Sequence, residues 1–473
     1  MIFNSFQFVW LFPVIFVIYW MLTGRNTKSN SFSQLSNAFL IVVSYALYIQ
    51  WKPVYALVLL GVTAVTYIGA RIIEVKNAYG KQKYLLSIAL CLAALPLLAF
   101  KYYDFVSGQL NVLLDTLSVE WSLPGLNLAL PLGISFFTLQ AISYLYDVYK
   151  QKIPAEHNWW HYMLFVSFFP QIASGPISKA SELLPQIKSQ RHFDYSQAVQ
   201  GLKWLLWGMF LKVVVADSIG LQVDVIYQSY SSHSGLALLI TSIYYIIQIY
   251  CDFAGYSYMA LGVGQTMGFE LINNFQRPYF SVSVTEFWRR WHISLSRWLK
   301  DYIFIPLGGS RCGKLRNYLN IIITFVISGI WHGANWTFII WGLIHGAVQV
   351  FEKMFDCRTY EGHNHLVRIL RIVTTFMVFD LSMIFFRMPS LDDAINVYGK
   401  LFTDFTFEPF VWTYCSMLVL IVFFKDLMDE LDIKQLRLLH SKYTIVRWIT
   451  YVVLISFIAI SGVYGGQFIY SGF

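Results

Sequence analysis

The sequence predicts an all-α polytopic membrane protein, and three observations predict it. Hydrophobic residues make up 57% of the chain and charged residues only 13%, where a soluble chain carries about a quarter charged. Apolar stretches near the roughly 20 residues that a spanning helix needs recur from the first residues to the last, with short polar gaps. The basic residues behind the net charge of +8 sit in those gaps, as membrane topology requires and nucleic-acid binding does not. Length alone would permit several soluble domains. The unbroken alternation instead reads as one membrane domain over residues 1–473, with about 11–12 membrane helices plus re-entrant and interfacial pieces.

Candidate spans lie near 3–22, 35–52, 54–72, 84–100, 130–148, 160–177, 197–216, 235–252, 318–345, 366–387, 410–424 and 446–468. The first stretch, Phe8 to Leu22, has no Lys or Arg before it and is followed by Arg25 and Lys28, the reverse of a signal peptide. It is expected to stay as a helix with its start outside. Arg71, Lys76, Lys81 and Lys83, and later Lys150 and Lys152, then fall inside, while the turn at Trp51, Lys52 and Pro53 and the acidic segment with Asp104, Asp115 and Glu120 fall outside. Phe168, Phe169, Pro170 and the Gly175-Pro176 pair interrupt the next apolar run, ahead of Lys179, Lys188 and Arg191. A re-entrant hairpin there keeps both flanks inside. Residues 274–317 hold eight Arg and Lys, Arg277 to Arg316, between two apolar runs, so this segment is expected at the cytoplasmic side. Its stretch Glu286 to Tyr302, with Trp288, Trp291 and Trp298, suits an interfacial amphipathic helix.

The five cysteines (Cys91, Cys251, Cys312, Cys357, Cys415) are scattered, with no CxxC pair and no zinc spacing. Neither a disulfide framework nor a metal site is expected. Gly262, Gly264 and Gly268 are spaced almost as in a dinucleotide loop, but no βαβ unit surrounds them, so helix packing by small residues is the reading.

His332 is the sharpest candidate for chemistry, in Ser328-Gly329-Ile330-Trp331-His332-Gly333-Ala334-Asn335-Trp336 within an uncharged run from Ile321 to Ile344. An ionisable group at such depth is a functional hypothesis by default. In one continuous helix Ser328 and Asn335 share its face and can orient the imidazole, and Gly329 and Gly333 form a GxxxG pair. A hydrogen-bonded core histidine and a transporter's proton relay are the competing readings. His345 would lie about 220 degrees further round that helix and face elsewhere.

His292, in Trp288-Arg289-Arg290-Trp291-His292-Ile293-Ser294-Leu295-Ser296-Arg297-Trp298, would share a helical face with Trp288 and Ser296. Such a basic, aromatic segment holds a phosphate-bearing donor such as coenzyme A, or anchors to lipid headgroups. Asp252 and Asp380 follow long apolar runs, where an unpaired charge is costly. Asp252 is expected to pair with an arginine of the following segment, and Asp147 reads as a helix terminus. His157, His161, His363 and His365 lie near loops and form no recognisable constellation. With no GxSxG elbow, Walker A loop or HExxH motif, an enzyme built on this chain has histidine and no obvious nucleophile. Histidine-assisted attack by an acceptor's hydroxyl fits that inventory.

At these residues the chain resembles the membrane-bound O-acyltransferase (MBOAT) family, in its bacterial alginate O-acetyltransferase-like branch. The resemblance runs from Met1-Ile2-Phe3-Asn4-Ser5-Phe6 to Phe468-Ile469-Tyr470, through Pro131 to Gln140, Phe169 to Ile177, Phe287 to Leu299 with Tyr302 to Gly309, and Ser328 to Trp336 with Trp341 and Gly342. It implies that His332 is the catalytic histidine and His292 the second active-site position, within membrane helices ringing a central cavity. Trp331, Asn335, Ser328, Arg289, Arg290 and Asp252 are then the expected substrate contacts. It also implies an acyl thioester donor such as acetyl-CoA, no bound cofactor or metal, and no nucleic acid. An SGNH-type extracytoplasmic partner and a polysaccharide acceptor in exopolysaccharide or alginate biosynthesis, at the cytoplasmic (inner) membrane, complete the expectation. D-alanyl transfer to teichoic acid is the alternative reaction, and a transporter with His332 as proton relay the alternative of another class. Two departures stand out: Gly255-Tyr256-Ser257-Tyr258 where relatives usually end in Asp, and the ending Phe468 to Phe473.

Overall fold

The computed structural model describes residues 3, 5–23, 31–50, 52–75, 82–408, 413–433, 438–464 and 466. Arg25, Lys28, Trp51, Lys76, Lys81, part of the opening motif and the ending 468–473 lie outside the described residues. Among those described there are helices and connecting segments and no strand, because in hydrocarbon a helix satisfies its backbone polar groups within itself. Among the described residues, five helices are long and apolar enough to cross a bilayer. The protein is a multi-pass membrane protein.

By internal contacts the chain divides into two compact units, one within residues 1–202 and 260–272 and one within 203–259 and 273–469. The first contains α1 (Phe6–Thr23), α2 (Ser31–Ile49), α3 (Pro53–Val75), α4 (Gln82–Lys101), α5 (Tyr103–Thr116), α6 (Ile134–Tyr149), α7 (Trp159–Ser167), α8 (Phe169–Ile172) and α9 (Ala180–Lys188). The acidic segment after α4 is not plain loop: it begins with α5, and Asp104 accepts from the backbone N–H of Leu126 at 2.7 Å and Asn127 at 3.0 Å. The run expected at 160–177 breaks into α7 and the single turn α8. At 1.5 Å per residue α7 is about 14 Å long, too short to span, as a re-entrant element requires. Arg191, read as a loop charge, is buried, donating to Tyr19 Oη at 2.6 Å and Asn37 Oδ1 at 2.5 Å and so tying α1 to α2.

The helix α10 (Tyr195–Met209), whose residues from 203 on belong to the second unit, ends in a wide π-helical turn, Phe210–Ala216, before α11 (Asp217–Gln228) and α12 (Gly235–Thr266), which belongs to that unit as far as residue 259. Then come α13 (Val284–Arg290), α14 (Ile293–Leu299), α15 (Lys314–His332), α16 (Trp336–Met354), α17 (His365–Arg387), α18 (Leu391–Thr403), α19 (Thr413–Glu430) and α20 (Thr444–Ser461). The small-residue packing expected is present at Gly262, since a Cβ on Gly201 would lie 2.7 Å from Gly262 O.

Two expectations are corrected. The single span at 318–345 is a hairpin of α15 and α16, because Gly333 leaves the helix in an extended conformation and Asn335 caps the next one, its side chain accepting from Thr337 N. The expected interfacial helix 286–302 is broken at Trp291 and His292, where His292 adopts a left-handed φ of 44°.

Gly133, at the N-terminus of α6, has φ +71°, and a Cβ there would fall 1.7 Å from Ile172 O. Both the conformation and the space demand glycine. Gly133→Ala is expected to cost at least about 1–3 kcal/mol in strain and to lower the melting temperature in detergent, whereas Gly61→Ala, in open space on α3, leaves it unchanged or raised. Equal melting of both variants would refute this account.

Candidate active site

The hairpin of α15 and α16 positions His332. A Cβ on Gly329 would stand 2.2 Å from Phe338 O, one on Gly342 2.4 Å from Phe325 O, and one on Gly346 3.1 Å from Ile322 Cα. Backbones that close set the end of α15 against the start of α16. There His332 is 3% exposed, its ring centroid 5.0 Å from Trp341, 4.9 Å from Trp331 and 5.3 Å from Phe386. The cage is aromatic on every side that these contacts define.

His292 is held from a different direction. Asn274 accepts from Ser294 N at 3.0 Å through its Oδ1 and from Ile293 N at 3.1 Å through its carbonyl, and donates to Ser257 Oγ at 3.0 Å. This clamp fixes the two residues after His292 and, with them, the left-handed turn. The imidazole is fully buried, 4.5 Å from Phe253 and 6.0 Å from Trp331. It is not on an exposed interfacial face, and the break in the helix removes the face it was to share with Trp288 and Ser296. Trp331 thus packs against both histidines.

The other expected contacts divide. Ser328 is buried one turn before His332 on α15, as helical spacing requires. Asn335 does not face the imidazole: its amide donates to Pro389 O at 2.7 Å while its oxygen caps α16. Arg290 is occupied by Glu286 at 2.6 Å and Glu430 at 2.9 Å, and Arg289 is exposed. Asp252 pairs with a lysine, not with an arginine: Lys212, fully buried in the π-helical turn, bonds Asp252 and also Asp217 at 2.8 Å. Gly255 makes room for this, since a Cβ there would lie 3.0 Å from Lys212 N. Tyr258 is buried and stacks on Trp204 at 4.9 Å. Asp147 is buried and paired with Lys152 at 2.9 Å. Asp380 accepts from Ser242 Oγ at 2.9 Å.

Sequence reasoning missed Trp341 and His345 as neighbours of the site. His345 is fully buried with its ring centroid 4.9 Å from Trp341, accepts from Trp288 Nε1 at 3.4 Å on Nδ1, and meets Ser382 Oγ at 3.0 Å through Nε2. The helical-wheel argument that sent it elsewhere assumed a continuous helix. The signal available was Gly333 followed by Asn335, a stop and a start for two helices. Among the described residues no group of three His, Cys, Asp or Glu side chains has the arrangement of a metal site.

Comparison with known proteins matches the profile of the membrane-bound O-acyltransferase family over residues 3–386, which takes in both histidines. The chain is 34% identical to the probable alginate O-acetylase AlgI of Pseudomonas syringae over 411 residues, 85% of this chain and 75% of that protein. It is 36% identical to the peptidoglycan O-acetyltransferase of Helicobacter pylori over 427 residues, covering 84% and 79% of the two. Similarity to the teichoic acid D-alanyltransferase of Bacillus subtilis is 28% over 270 residues, 54% of this chain and 67% of that protein. With a family match across most of its length and relatives at this identity, the chain belongs to the membrane-bound O-acyltransferase family and is an O-acyltransferase.

Proposed function

We propose that this protein moves an acetyl group from a cytoplasmic thioester, acetyl-CoA or a similar donor, to the outer side of the cytoplasmic membrane, for O-acetylation of a polysaccharide. The observation that carries the reading is the buried His332 at the α15–α16 turn, inside the segment shared with acetylating relatives of the alginate and peptidoglycan kind. The shorter, weaker match to a D-alanyltransferase favours acetyl over D-alanyl.

In the proposed step a hydroxyl oxygen attacks the thioester carbonyl and the carbon–sulfur bond breaks. His332 takes the hydroxyl proton as general base and returns it to the departing thiolate, so an ester and a free thiol leave. His292 positions the donor or faces the developing charge without taking the proton. The hydroxyl belongs to an SGNH-type exported partner or to the polymer itself. Only the acyl group crosses, because carrying a multiply charged donor through hydrocarbon is prohibitive.

His332→Ala is expected to lower polymer acetylation by about 100- to 10,000-fold with normal abundance in the membrane, and His292→Ala to lower it less. Parental activity in a well-inserted His332→Ala protein would remove histidine from the mechanism. In sealed vesicles, labelled acetyl-CoA confined to the cytoplasmic face is expected to acetylate a lumenal acceptor. Equal transfer from donor confined to the lumenal face would rule out a transmembrane relay. The same topology puts Ser310, exposed in the basic segment, inside. In a protein stripped of native cysteines, Ser310→Cys is expected to resist an impermeant thiol reagent in intact cells and to react once the cells are opened; ready reaction in intact cells reverses the orientation.

A further inference from the structure

An apolar groove of about 680 Å³ opens between α12, α17 and α19, and its lining includes neither His292 nor His332. Ile247, Val373, Phe376, Leu420 and Phe423 form its walls, and His365, Arg368 and Glu430 stand at one end. The helices explain that polarity: α17 begins at His365 and α19 ends at Glu430, so the two run oppositely and bring their polar termini together.

The charged end has a surplus of positive charge. Glu430 accepts from Arg277 and Arg290, each at 2.9 Å, and Arg290 is further paired with Glu286 at 2.6 Å. Arg368 reaches Glu430 only at 3.8 Å and keeps 52% of its side chain exposed. Three guanidinium groups therefore face two carboxylates, with His365 beside them. The remaining acid in the lining, Asp426, is already engaged, accepting from Tyr250 Oη at 2.7 Å and lying 3.2 Å from Lys425.

Depth identifies the occupant. Along α17 the groove runs from His365 to Phe376, about 17 Å at 1.5 Å per residue, and one leaflet of a bilayer's hydrocarbon core is about 15 Å thick. A cleft one leaflet deep, apolar along its length and cationic only at its mouth, has the form of one acyl chain beneath an anionic headgroup. We propose that this groove binds an anionic glycerophospholipid of the adjoining leaflet, its phosphate on Arg368 and His365 and one acyl chain against Phe376 and Phe423. The site lies on the side of the basic segment that holds Arg277 and Arg290. Its wall α17 also carries Phe386, which packs on His332, so an ordered lipid here steadies a helix of the catalytic cage.

The test uses the full chain in phosphatidylcholine nanodiscs with a trace of phosphatidylglycerol carrying a photoactivatable diazirine midway along one acyl chain, the adducts being mapped by mass spectrometry. Adducts are expected to concentrate on Phe376, Leu420 and Phe423. Arg368→Gln combined with His365→Gln is expected to reduce them by about fivefold or more, and Val373→Trp, which fills the groove, to remove them while the protein keeps its gel-filtration profile. Adducts spread evenly over lipid-facing α20, an equal yield from a phosphatidylcholine probe, or an unchanged yield in the double variant would each overturn the proposal. So would preferential labelling of the groove by a photoactivatable acyl-CoA in competition with the lipid probe.

Discussion

The architecture around the site depends on how closely α15 and α16 approach. Contacts under 3 Å at the missing side chains of Gly329 and Gly342 leave no room for any Cβ, so the two backbones touch over several turns. In a bilayer, where lipid tails are as apolar as leucine, such close packing is what holds helices together. The same approach decides where His332 lies. A continuous helix would have carried the imidazole past as one more position on a long span, whereas the turn at Gly333 stops it at a helix end, between Trp331, Trp341 and Phe386.

A second constraint is ionic. Lys212 bonds both Asp217 and Asp252 and has no exposure to solvent. Removing one partner of a buried ionic set costs about 3–5 kcal/mol, because a charge is left uncompensated. The set lies one residue from Phe253, whose ring supports His292, so its cost is offset where it fixes the site's wall. The wide turn at Phe210–Ala216 and the bare Gly255 are the local features that let a lysine reach that depth, in keeping with the frequent use of π-helical turns at functional sites.

Fold class was legible because hydropathy and charge act over whole segments. Bilayer thickness sets helix length and loop charge sets orientation, and both average over many residues. The candidate site was legible in His332, Ser328 and Trp331, where spacing within one helix carries the information. It was not legible where the chain stops being helical: the left-handed turn at His292 and the cap at Asn335 are single-residue decisions that tertiary contacts from Asn274 and Pro389 complete. Asp252 was expected to be paired, but its partner was misnamed for a related reason. Lys212 reaches it through a π-helical turn, and no periodicity of the ordinary helix announces one.

Three buried histidines lie in this unit, and their hydrogen bonding separates them. His345 accepts from Trp288 on Nδ1, which obliges its proton to sit on Nε2 and to be donated to Ser382 Oγ. Ser382 in turn donates to Phe379 O at 2.7 Å. Both imidazole nitrogens are committed, so His345 has no nitrogen available to take a proton from a substrate without first breaking a bond to Trp288. A buried imidazole so bound acts as a strut, holding Trp341 against its neighbour on the far side. The sequence argument excluded His345 from chemistry by pointing it away. It lies beside the site instead, and what excludes it is that both of its nitrogens are spoken for.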